Sequence, residues 1–202
     1  MPVLSDTLAP WAELVPGVDH LMTEDELLDL PDDGGMYELV EGRLIRMTPS
    51  AGGDSVRAVS LVVALSTFVA SRELGLVTGS DGAYVLSRAG EPVTTLVPDV
   101  AFVRAGRYPP EASPDFDCIW HLAPDLAAEV ASHQQYRPAM AKKAQRYLHA
   151  GVRLVWIVWP KYKRVDVWRP GRDGPVRTLT STDVLDGLDV LPGFAFPVAR
   201  LF

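Results

Sequence analysis

The chain has 202 residues, 48% hydrophobic and 22% charged, enough for one sizeable domain with a real core and too few for two comfortable ones. Its net charge of -7 argues against a protein that coats nucleic acid non-specifically, because that affinity comes from Lys and Arg neutralising phosphates, but it allows an enzyme with a local basic groove. A single cysteine, Cys118, excludes an internal disulfide and a cysteine-based zinc site and fits a reducing cytoplasm.

No basic segment followed by an apolar core opens the chain, and the apolar runs read as strand-sized, so neither a signal peptide nor a membrane span is expected. Residues 1–20, with Pro2, Pro10 and Pro16, read as a loosely packed arm before one domain over residues 21–202. Thr23 and Glu26 have capping-box spacing for a short helix over residues 24–30, which "PDDGG" then breaks. "MYELVEGRLIRM" reads as a hairpin turning at Glu41-Gly42. Asp54 reads as the cap of a long helix reaching residue 73, with Val56, Val59, Val63 and Phe68 at helical spacing. Strands are expected over residues 76–78, 83–86 and 99–103, followed by a Pro-rich surface loop.

"DLAAEVAS" (residues 125–132) then reads as a strand buried on both faces, and a helix over residues 138–149 closes at Gly151. "VRLVWIVWP" is a strongly apolar strand that "RVDVW" pairs with, and the tail is irregular or an edge strand. Strand–helix–strand order here implies a mixed α/β domain with a parallel pair at its centre.

Glu129 sits in the middle of the buried strand, where a charge costs several kcal/mol or more unless it is paired, protonated or bound to a metal. Ala127 and Ala131 share its face and leave room beside it, with Asp125 roughly 13 Å further back. Asp99 opens the apolar run "VAFV" in the same manner. Two carboxylates so placed can share one Mg²⁺, which keeps several waters, although Asp99 alone also reads as a strand-start acid bonding backbone donors. On the following helix the apolar stripe is Met140, Ala144, Tyr147 and Leu148. Lys143 falls about 80° from its centre and can bend inward, while Lys142 points to solvent. The residues leave open whether Lys143 serves chemistry or only neutralises Glu129.

"VPDVAFV", "APDLAAEVAS" and "KAQRYLHAGVRLVWIVWP", with "YELVEGRLIRMTP" upstream, together resemble the Uma-type family of restriction-endonuclease-like proteins over residues 21–170. That family is similar to the PD-(D/E)XK nucleases, which implies a restriction-endonuclease-like mixed sheet flanked by helices and Mg²⁺-dependent (or Mn²⁺-dependent) hydrolysis of DNA phosphodiesters. By position, Asp99 and Glu129 would be metal ligands, the Val130 backbone carbonyl a third, and Lys143 the catalytic lysine, since Ala131 stands where a Glu-x-Lys strand would carry it. Glu38 matches an acid of the family's N-terminal hairpin, and strand alternation does not decide whether it turns inward. A homodimer follows by analogy alone.

The chain also departs from that pattern: Ala139 stands where an acid is expected, and "DSVRAV" replaces the histidine that usually opens the long helix. These losses keep a rival reading open, a catalytically inactive module of the same fold that binds protein or nucleic acid. His133, Gln134 and Gln135 read as polar loop, and Trp156, Trp159 and Trp168 as core or interface packing. The basic clusters Arg137, Lys142, Lys143, Arg146 and Lys161, Lys163, Arg164, Arg169 read as a solvated helix face and a charged edge hairpin.

Overall fold

A computed structural model describes residues 13–15, 17–132 and 137–202. Its elements run in chain order β1 (Glu13–Leu14), α1 (Glu24–Leu28), β2 (Tyr37–Val40), β3 (Arg43–Arg46), α2 (Gly52–Ala70), β4 (Gly75–Thr78), β5 (Tyr84–Val85), β6 (Thr95–Leu96) and β7 (Val100–Arg104). Then follow β8 (Leu126–Val130), α3 (Arg137–Ala150), β9 (Leu154–Trp159), β10 (Arg164–Trp168), β11 (Arg177–Thr180), β12 (Val184–Gly187) and β13 (Leu191–Pro197). Local chemistry explains several boundaries. The Thr23–Glu26 capping box forms and starts α1. Glu41 and Gly42 both take positive φ (53° and 75°), the primed turn whose twist matches a two-residue hairpin. Gly151, at φ 107°, ends α3 in a conformation that favours glycine.

A six-stranded sheet in the order β11-β10-β9-β8-β7-β4 forms the centre, antiparallel except for the parallel pair β8–β9. Alternation along β8 divides the core. Leu126, Ala128 and Val130 pack with Ala58, Leu61, Leu65 and Val69 of α2, while Ala127 and Ala131 pack with Met140, Ala144 and Tyr147 of α3. A five-stranded sheet, β1-β3-β2-β6-β5, lies on the α3 side, where Tyr84, Leu86 and Leu96 join that second cluster. The tail, expected to be irregular or an edge, forms the two-stranded β12–β13 pair, whose Phe194 and Phe196 help close the α2 side.

The structure corrects the reading of α2 in three ways. The helix starts at Gly52 with Ala51 as its cap, so Asp54 lies inside the first turn, buried, and favours the helix dipole rather than capping it. Its buried stripe is Asp54, Ala58, Leu61, Leu65 and Val69, whereas Val56, Val59 and Val63 face outward at 65%, 56% and 59% exposure. Two apolar stripes occupy one helix, and the bulkier leucines take the core because they remove more surface from water. By length and composition α2 also reaches the threshold for crossing a membrane, contrary to the expectation of strand-sized runs; its leucine stripe packs on the central sheet.

Candidate functional site

Strand register brings buried Glu129 and half-buried Asp99 together. Val100 pairs with Ala128 across the antiparallel β7–β8 ladder, and one step beyond that register sets Asp99 opposite Glu129. The Val130 amide donates to Asp99 Oδ2 at 2.7 Å, fixing the aspartate to the strand that carries the glutamate. α3 crosses this end of the sheet with its apolar stripe down. Lys143, at the stripe's border, bends in as its helical position predicts, and its Nζ lies 2.9 Å from Glu129 Oε1. Glu38, left undecided by alternation, turns inward from β2. Its Oε1 accepts from Lys143 Nζ at 3.0 Å and from the Val97 amide at 2.9 Å. Asp99, Glu129, Lys143 and Glu38 therefore meet at one place, supplied by four elements.

Two neighbours escaped the sequence reading. Tyr147 belongs to the apolar stripe, yet its hydroxyl donates to Glu129 Oε1 at 2.6 Å. The available signal was spacing: it follows Lys143 by one helical turn on the same stripe, and a buried hydroxyl needs a partner. Asp54, expected as a cap, lines a cavity of about 280 Å³ together with Asp99, Val130, Ser50 and Asp81. Arg57 is 3.7 Å from Asp54.

Burial, reinforced by the charges of Asp99 and Glu38 and only partly offset by Lys143, pushes the Glu129 carboxyl up to about 7. Burial also raises Asp99, against the Val130 hydrogen bond and Lys143. Burial alone would lower Lys143; Glu129 and Glu38 outweigh it and hold the ammonium above the ordinary lysine value. Lys143 is thus a permanent cation here, not a base.

The donor set fits a hard divalent cation in chemistry and in charge. Carboxylate and backbone carbonyl oxygens are what Mg²⁺ and Mn²⁺ accept; Glu38 and Glu129 share the Lys143 ammonium, and Asp54 pairs with Arg57. Among the described residues, however, no group of three or more His, Cys, Asp and Glu is close enough to hold an ion, so water would complete the shell. Ala131 and Ala139 are buried and apolar, so neither replaces the missing lysine or acid.

A protein family described as "Putative restriction endonuclease", Uma2, matches residues 24–199. The chain belongs to the Uma2 family. A solved structure described as a putative nuclease belonging to DUF820, from Anabaena variabilis ATCC 29413, is similar to it with a TM-score of 0.75 and 22% identity, covering 90% of this chain and 97% of that one. At that identity the likeness shows the fold, which is the mixed α/β nuclease fold expected from the sequence. No curated protein matches the chain. Within this Uma2 chain the other residues weighed have ordinary roles. His20 and His121 pair with Glu26 and Glu24 near the surface, and the three C-terminal tryptophans are buried. His133, Gln134 and Gln135 lie outside the described residues. The basic clusters are less solvated than expected: Arg146 lies 3.9 Å from Glu41, Arg164 pairs with Asp166, Arg169 with Asp189, and Lys142 is half-buried.

Proposed function

We propose that the protein is a Mg²⁺-dependent endonuclease that hydrolyses DNA phosphodiester bonds. The observation that supports this reading is the convergence of Asp99, Glu129 and Lys143 at one end of the central sheet, with Asp99 and Val130 also lining the adjacent cavity, in a chain of the Uma2 family. Asp99 and Glu129 would hold the cation, with the Val130 carbonyl. When bound, the cation activates water for attack and polarises the phosphate. Lys143, kept protonated by its two glutamates, offsets the negative charge that grows on the phosphate. Glu38 holds Lys143 in place from the opposite sheet.

The test is a plasmid-cleavage assay alongside thermal melting. The wild type is expected to nick DNA with Mg²⁺ or Mn²⁺ and not with EDTA, and Mn²⁺ is expected to raise its Tm, since a ligand that binds only the folded state stabilises it. Asp99→Asn is expected to lose both effects. The competing reading, an inactive nuclease-fold module, draws on buried Ala139 in the place of an acid. DNA retention without nicking, together with a Tm indifferent to Mn²⁺, would establish it instead.

The reading includes a homodimer, because a duplex has two strands to cut. The outward row Val56, Val59 and Val63 on α2 supports it as an apolar surface for a second copy. Sedimentation is expected to give a dimer that Val59→Glu dissociates; a wild-type particle of 22.0 kDa at micromolar concentration would remove the dimer from the proposal.

A further inference from the structure

Tyr147 is fully buried in the apolar stripe of α3, between residues that only pack. A phenylalanine would fill the same space without the cost of taking a hydroxyl out of water. The hydroxyl instead makes a short bond to Glu129 Oε1, and Lys143 Nζ reaches the same oxygen. Both donors come from one helix, one turn apart, so they reach Glu129 from the same side. One oxygen of Glu129 is thereby taken twice, and neither of these two donors occupies the other.

The two donors differ in what they can do. Lys143 is a flexible chain shared between Glu38 and Glu129 and can release either. The Tyr147 ring is locked among Met140, Ala144 and the sheet, and its hydroxyl contacts only Glu129 among the described residues. When Lys143 turns toward a phosphate, Tyr147 is what still fixes the glutamate.

We infer that Tyr147 is a positioning residue for Glu129: it holds one carboxylate oxygen so that the other faces a divalent cation. The inference rests on the reading of Glu129 as a metal ligand. Partners that orient a metal-binding side chain typically govern affinity by 10–100-fold. The test is Mn²⁺ titration by calorimetry on wild type and Tyr147→Phe, with the melting temperature of each recorded without metal. Expected is a rise in the Mn²⁺ Kd of Tyr147→Phe by about 10-fold or more, with a cooperative metal-free melt and an unchanged KM for DNA beside a reduced kcat. A role in packing alone would move the melt and leave the Kd where it was. Equal Mn²⁺ Kd values for the two proteins would overturn the inference while leaving the metal site standing. A wild type that takes up no Mn²⁺ would overturn the metal-site reading and this inference with it.

Discussion

Lys143→Met is expected to destabilise the metal-free protein by about 3–5 kcal/mol at pH 8, the usual consequence of removing one partner from a buried ion pair. The ammonium lies within 3.0 Å of both Glu38 and Glu129, and it is the only Lys or Arg that pairs with either of them among the described residues. A lysine held above its ordinary value contributes stability that is fully present below that value and lost only as pH rises through the higher folded one, so pH 8 lies within the stabilised range. Without Lys143 the acids can shed their mutual repulsion only by taking up protons. Urea unfolding at pH 5.5 and pH 8 should therefore show a much smaller loss at the lower pH. A loss below about 1 kcal/mol at pH 8 would mean that the pair is no stronger than an exposed one.

Glu129→Gln should separate activity from stability. Cleavage is expected to fall by about 10²–10³-fold, since a metal's charge stabilisation is worth several kcal/mol. The metal-free variant should nevertheless be more stable than wild type at pH 8, by on the order of 2 kcal/mol. The sign follows from the carboxyl at about 7, above its ordinary 4.5. The folded state holds that proton where the unfolded state has lost it, so the wild type loses stability as pH rises from about 4.5 to 7 and then levels off. The variant lacks that decline except for a smaller part from Asp99, which is raised in the same direction. Thermal melts from pH 4.5 to pH 8.5 measure it. A wild type and a variant with parallel curves would show that Glu129 carries no buried charge.

Much of this was legible in the amino-acid order because burial and charge conflict openly there. An acid among alanines and valines at 126–131 announces a partner, and helical geometry narrows the lysine to Lys143 rather than Lys142. Glu38 was not decidable, because β2 is buried on both sides, by Leu39 toward one cluster and by Glu38 toward α3. α2 misled for a related reason. Valines and leucines alternate around it, and periodicity gives an angle between stripes without saying which one meets the sheet. Tyr147 is legible as an apolar position, but the partner of its hydroxyl depends on where α3 meets β8.

The salt bridge between Glu38 and Lys143 joins positions 105 residues apart in the chain. During synthesis the hairpin that carries Glu38 emerges long before its cation, and Asp99 and Glu129 also precede Lys143. For that interval Glu38, Asp99 and Glu129 have left the ribosome without Lys143, and the end of the central sheet cannot close at low cost. Folding of this corner therefore waits for α3, and the site is complete only once that helix has been made.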